Sequence, residues 1–139
     1  MAMNKKERAE GIYVASKAKH GPMWKEYRDI DLYPITSTWI DECGAGETSD
    51  WPDLWTRCVK EASECGCLVA YRANENEEMK GAMVEIGAAL AHGKRVFCVG
   101  FEYASFVRHP LVTSTACVAT ALRMAKEALQ QSQGVEPCQ

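Results

Sequence analysis

The stretch MKGAMVEIGAALAHGKRVFCVG, residues 79–100, reads as a helix running into a buried strand. Apolar and small residues fill the helix, yet Glu85 stands in its middle. Gly81, Ala82, Ala88 and Ala89 lie three or four positions from Glu85 and therefore share its face. A solvated glutamate more often has Lys, Gln or Glu around it. The spacing therefore places this carboxylate in a cleft, or half-buried with a partner. Helical side chains lean toward the helix N-terminus, so it reaches toward whatever lies beyond the preceding strand. The partial positive charge of that helix end favours its ionised form.

Outward from this stretch, strand-like and helical segments alternate. GIYVAS (11–16) is an apolar run closing on a small polar residue, and GPMWKEYRD (21–29) starts a helix with Pro22. YPITSTWID (33–41) is rich in β-branched residues and reads as a second strand. The Gly-rich segment 42–50 reads as a loop. Segment 49–65 opens with a capping residue and Pro52, then places Leu54, Trp55, Cys58, Val59 and Ala62 at helical spacing. CLVAY (67–71) is a third strand, followed by the charged loop 72–80. The helix over 79–92 ends at Gly93, a residue suited to the left-handed C-cap. RVFCVG (95–100) is a fourth strand. Segment 109–129 holds a short last strand or turn near 112–117 and then a helix, and residues 1–10 and 131–139 read as flexible ends.

This alternation predicts an α/β fold, a parallel sheet of about four to five strands with helices on both faces. Such open sheets bind ligands beyond the carboxyl ends of their strands. That edge collects Ser16, Lys17 and His20 after the first strand, Trp39 and Asp41 after the second, and Tyr71 and Arg72 after the third. The start of the 79–92 helix lies there too. The chain is polar where the fold puts a site.

The 139 residues suit one domain with its own core. A net charge of −3 offers no electrostatic footprint for duplex DNA or an anionic membrane. No apolar run approaches the roughly 20 residues of a membrane span. The charged N-terminus lacks the apolar core of a signal peptide, which points to the cytoplasm. Seven cysteines, odd in number and scattered, do not read as a disulfide framework. CGC at 65–67 has the wrong spacing for a zinc knuckle, so no metal site is expected. The NENEE run (74–78) reads as a solvated loop.

The segment GAMVEIGAALAHGKRVFCV, preceded by the strand IYVAS, resembles the nucleoside 2-deoxyribosyltransferase superfamily, which includes nucleotide N-glycosidases and many phage-encoded relatives. The resemblance spans roughly residues 11 to 100 and is clearest over Gly81, Glu85, Gly87 and the Gly93-Lys94 pair. It implies one Rossmann-like (flavodoxin-like) domain over the chain and cleavage or transfer of the N-glycosidic bond of a (deoxy)nucleoside or nucleoside 5'-monophosphate. No cofactor is implied, and a homodimer or higher homo-oligomer is. Glu85 matches the family's nucleophile, and Gly81 matches the glycine that lets the helix start approach the sugar or phosphate. Ser16, Lys17 and His20 match the loop that binds the 5' end by position only. Tyr13 is placed with them at the sugar end, Trp39 and Asp41 toward the base, and Arg72 at the neighbouring strand end.

Two departures stand against this. The transferases carry an aspartate six residues before the nucleophile, where this chain has Met79, and the acidic residue of the preceding helix is not evident in CVKEAS. Asp41, Asp53 or Glu61 are the candidates for the acid that protonates the leaving base. The alternative is a catalytically silent pocket that holds a nucleotide or nucleotide-derived signal. Plainer readings also stand: Glu85 ion-paired with Lys17 or Arg72, Trp39 as a core residue, His20 as an ordinary loop residue, and Trp51 and Trp55 as core or subunit contacts.

Overall fold

Four short apolar runs pair side by side as parallel strands: β1 (Ile12–Ala15), β2 (Cys67–Tyr71), β3 (Arg95–Val99) and β4 (Val112–Thr115), in that spatial order. The computed structural model describes residues 3–42 and 50–134. The register aligns Tyr13 with Leu68, Leu68 with Val96, and Val96 with Val112. All of β1 is buried, as are the apolar residues of β2 and β3, because helices cover both faces. Side chains alternate across a strand, and the contacts identify each side. The Cys67 thiol meets the Ala125 carbonyl of α5 (Val118–Gly134), whereas the Tyr13 hydroxyl meets α4 (Lys80–Ala91). This is the α/β arrangement of a Rossmann-like, flavodoxin-like domain. Among the described residues no helix is long and apolar enough to cross a membrane.

Local chemistry sets the helix limits. The helix α3 (Trp51–Glu64) begins at Asp50, whose side chain accepts from the Asp53 amide at 3.0 Å, and Pro52 occupies its first turn. The α4 helix ends at His92, and Gly93 follows with φ +75°. The helix α2 (Gly21–Asp29) carries Pro22 in its first turn. At the N-terminus, the segment read as a flexible end forms the short α1 (Lys5–Ala9), closed by a reciprocal Asn4–Glu7 capping box. At the other end α5 continues past Leu129 to Gly134. Residues 43–49, most of the expected Gly-rich loop, and 135–139 lie outside the described residues, and with them Cys43 and Cys138.

The expected second strand is corrected. Only Ile35 bridges to Ile12, in the parallel sense, and residues 39–42 form a 3-10 turn instead. The reason is in the hydrogen bonds. The Ile12 amide donates to the Pro34 carbonyl and the Thr36 amide to the Ile12 carbonyl, but the next β1 amide, that of Val14, is taken by the Ser37 hydroxyl at 2.7 Å. Pro34 has no amide to extend the ladder backward. A side chain thus replaces the backbone and ends the pairing after one bridge.

That short extended segment still matters. It lies on one side of β1, and β2 lies on the other. The chain therefore reverses its direction of strand addition at β1, and the crevice between the carboxyl ends of β1 and β2 is the topological switch point where open α/β sheets bind ligands.

Two glycines separate conformational strain from crowding. Both Gly93 (φ +75°) and Gly100 (φ +87°) occupy the left-handed region, but a Cβ on Gly100 would stand 2.2 Å from the Arg72 carbonyl oxygen, while one on Gly93 meets nothing within 4 Å. Gly93→Ala is expected to cost about 1 kcal/mol, and Gly100→Ala about 3 kcal/mol or more because backbone must move as well. Urea unfolding midpoints of the two variants test this, and equal losses would show that the strand-end crossing is not tight.

Candidate functional site

The helix α4 lies close to the sheet because its inner face carries Ala82 and Ala89 around Glu85 and Ile86. That close approach brings the Glu85 carboxylate to β1, where the Tyr13 hydroxyl donates to Oε2 at 3.0 Å. The buried Cys58 thiol of α3 lies near both groups, close enough to influence their titration. Tyr13 is fully buried, and Cys58, Glu61 and Glu85 are 4%, 6% and 9% exposed. Among the described residues no cation pairs with Glu85, so the ion pair with Lys17 or Arg72 is not formed.

Burial without a cation controls the charge. Desolvation pushes the Glu85 carboxyl up to about 7; the Tyr13 hydrogen bond and the nearby Cys58 thiol oppose this, and the negative charge of Glu61 adds to it. Burial thus works against the ionised form that the helix end favours. The group is divided between its two forms near neutrality. Burial likewise raises the Tyr13 phenol well above its ordinary range, and the Cys58 thiol to about 12. Both remain protonated donors at neutral pH.

A second cluster joins the loops on either side of the switch point. Glu77, 5% exposed, accepts from the Ala73 amide at 2.9 Å through Oε1. Its Oε2 stands 2.8 Å from His20 Nε2 and 3.4 Å from the Lys19 ammonium. These bonds hold its carboxyl below the ordinary value against the opposing effect of burial. His20 also packs edge-on against Tyr71, with ring centroids 5.0 Å apart. The loop after β1 is thereby tied to the loop after β2. Between them Lys17, Lys19, Asn74, Asn76 and Glu77 line an open recess of about 430 Å³.

The other predicted residues are spread more widely. Ser16 accepts from the Trp24 indole at 2.9 Å and donates to the Lys17 carbonyl, so it shapes the loop after β1. Arg72 donates to the carbonyls of Glu77 and Gly100 and stacks over Tyr103 at 4.3 Å. It faces a different recess, of about 600 Å³, shared with Tyr27, Glu102 and Cys117. Trp39 is 8% exposed and donates to the Val14 carbonyl, the core placement that the sequence left open. Asp41 receives both terminal nitrogens of Arg28, each at 3.0 Å, on the surface. Gly81 lies under Trp55, whose ring carbon would be 3.4 Å from an added Cβ.

Of the three acid candidates, Asp53 is exposed and paired with Arg57, and Asp41 is held by Arg28. Glu61 alone is buried beside Glu85, but it is occupied by the Thr38 amide at 3.0 Å and the Thr38 hydroxyl at 2.7 Å. Sequence reasoning missed Glu77, read as part of a solvated loop, and the place of Cys58 beside Tyr13 and Glu85. Neither stands out locally, because His20 and Lys19 for Glu77, and Tyr13 and Glu85 for Cys58, lie far away in the chain. Among the described residues no group of three or more His, Cys, Asp or Glu is placed to hold a metal ion. No protein-family model, curated protein or solved structure matches the chain.

The buried carboxyl makes stability depend on pH. Below about 4.5, the ordinary value, Glu85 is protonated whether folded or unfolded and carries no penalty. Between 4.5 and about 7 the unfolded chain releases this proton while the folded chain keeps it, so stability falls as pH rises. Above that window the loss reaches about 3 kcal/mol. Glu85→Gln keeps an acceptor for Tyr13 and removes the titration. It should therefore gain on the wild type from acid to alkaline pH, which paired melting curves at low and high pH will show. A gap that does not change with pH would rule out a raised Glu85.

Proposed function

We propose that the chain cleaves or transfers the N-glycosidic bond of a (deoxy)nucleoside or nucleoside 5'-monophosphate, with Glu85 as the nucleophile. The observation that carries this reading is a carboxylate buried on a helix packed beside the switch point, oriented by the Tyr13 phenol rather than neutralised by a cation. A neutral donor fixes an oxygen in place without removing its capacity to attack. The resemblance over residues 11–100, with Glu85 at the nucleophile position, points the same way. The recess lined by Lys17, Lys19, Asn74 and Asn76 suits a 5'-phosphate, with Lys17 as the cation not already set against Glu77. Trp39 belongs to the core in this reading, so the base is not assigned to it.

A screen of nucleosides and their monophosphates, read by release of free base, tests the proposal. Turnover is expected from at least one member, and Glu85→Gln should reduce kcat about a thousandfold or more while binding survives. If Glu85 attacks as the carboxylate, kcat/KM climbs with pH and levels above about 7. A rate that falls through that range would make Glu85 a proton donor instead.

One observation favours a second reading, a silent nucleotide-binding pocket. All three candidate acids are engaged with Arg28, Arg57 or Thr38. Thermal stabilisation by a nucleotide without any product would support this reading over the first.

The same reading includes a symmetric homo-oligomer. Trp51 (51% exposed), Trp55 (40%) and Val84 (50%) leave apolar surface on the packed pair α3 and α4. Light scattering should give a multiple of 15.4 kDa, and a monomer throughout a dilution series would remove this part of the proposal.

A further inference from the structure

The recess of about 600 Å³ at the carboxyl ends of β2, β3 and β4 shares no lining residue with the one that bears Lys17. Its volume lies within the roughly 300–1,000 Å³ of small-molecule sites. The strand ends bring two opposite charges to it, Arg72 after β2 and Glu102 after β3, and no other carboxylate, guanidinium or ammonium group lines it. Tyr27 of α2 and Tyr71 of β2 supply an aromatic wall. Both rings lean on the buried Trp24, with centroids 6.4 Å from it in each case, so the core holds that wall in place.

Arg72 is locked by uncharged partners. Its Nε donates to the Glu77 carbonyl at 3.2 Å, its Nη1 to the Gly100 carbonyl at 3.3 Å, and its guanidinium lies over the Tyr103 ring at 4.3 Å. Among the described residues no carboxylate pairs with it, and the exposed Glu102 likewise forms no ion pair. Two opposite charges thus share one recess without meeting each other. An arginine free in water keeps many rotamers; this one has lost that freedom before any ligand arrives, so a ligand need not order it.

The geometry points to this recess as a binding site for a zwitterion, an α-amino acid with an aromatic side chain. Its carboxylate meets Arg72, its ammonium meets Glu102, and its ring lies against Tyr27 and Tyr71. A guanidinium offers a carboxylate two parallel N–H donors. A plain anion would meet Arg72 but also the repulsion of Glu102, and a plain cation the reverse. A ligand carrying both signs satisfies both groups, and a flat ring suits the tyrosine wall. The inference goes beyond the N-glycosidic reading and does not rest on it, because Glu85 takes no part.

Isothermal titration calorimetry with L-phenylalanine as the probe tests this. Saturable binding is expected. Removing the ammonium, in 3-phenylpropionate, or the carboxylate, in phenethylamine, should each weaken it about tenfold or more. Glu102→Gln should weaken phenylalanine but not phenylpropionate, so that the two bind alike. Arg72→Gln should abolish binding, and a folded Arg72→Gln that binds as the wild type does overturns the proposal. Arg72 also holds two backbone carbonyls, so if that variant does not fold, the surface variant Glu102→Gln decides. No saturable binding of phenylalanine up to its solubility limit, equal binding of phenylalanine and phenylpropionate to the wild type, or an unchanged preference in Glu102→Gln each overturns it. Affinity lost in Lys17→Gln would put the ligand in the other recess and overturn it as well. The readout needs no turnover, so a protein that cleaves no nucleoside defeats the proposed function and leaves this site to be judged by the calorimetry.

Discussion

The hydrogen bond between the Tyr13 hydroxyl and the Glu85 carboxyl is the constraint around which one half of the molecule is arranged. It requires α4 to lie near β1, which the small residues Ala82 and Ala89 permit. It requires Tyr13 to face that side of the sheet, which the strand alternation and the register with Leu68 enforce. It also requires α3 to close the seam, since a carboxyl open to water would not depend on that donor. Among the described residues every buried side-chain nitrogen or oxygen has a partner, so the cluster is satisfied.

Glu77 does comparable work at the sheet edge. Neither loop at the switch point is long enough to hold its own shape by a packed core, and each borrows order from the other. The loop after β1 contributes Lys19 and His20, and the loop after β2 contributes the Ala73 amide and the carboxylate itself. Because one buried carboxylate accepts all of these, the recess bearing Lys17 and Lys19 is built between the loops rather than on either one. Its charge balance differs from that of Glu85. Glu77 has a cation and several N–H donors and its carboxyl is lowered, whereas Glu85 has a neutral donor and is raised.

How much of this was legible follows from the range of each interaction. The helices α3 and α4 were readable because Asp50, Pro52 and Gly93 act on their own termini. The strands β1, β2 and β3 were readable as apolar runs between turns. The second strand was overread: β-branched content reports a preference for extended backbone, but pairing ends where the Ser37 hydroxyl takes the Val14 amide, a contact 23 residues apart. Glu85 stood out because its neighbours are so small, and the sheet edge was found through topology. Asp41 and Trp39 were correctly placed after the second extended segment, yet their side chains are taken by Arg28 and the Val14 carbonyl. Position along an edge can be read from order alone; the direction of a side chain depends on partners that order does not reveal. Cys58 shows the same limit, since its burial was expected while its place beside Tyr13 joins α3 to β1, 45 residues apart in the chain.

A glutamine at position 85 would accept the Tyr13 hydrogen bond, fit the same space and avoid the titration altogether. A glutamate there is less stable at alkaline pH by the work of ionising a desolvated carboxyl, a sizeable share of the roughly 5–15 kcal/mol that holds a domain together. Packing therefore does not explain the choice, and neither does hydrogen bonding. What the carboxyl has and the amide lacks is a negative charge that can be called up near neutral pH, and a proton that can be held or released. The small residues of α4 bring it to the sheet, and the space so gained seats a carboxyl that burial raises to about 7. That combination is what separates Glu85 from Glu61, which is equally buried but already bonded to the Thr38 amide and hydroxyl.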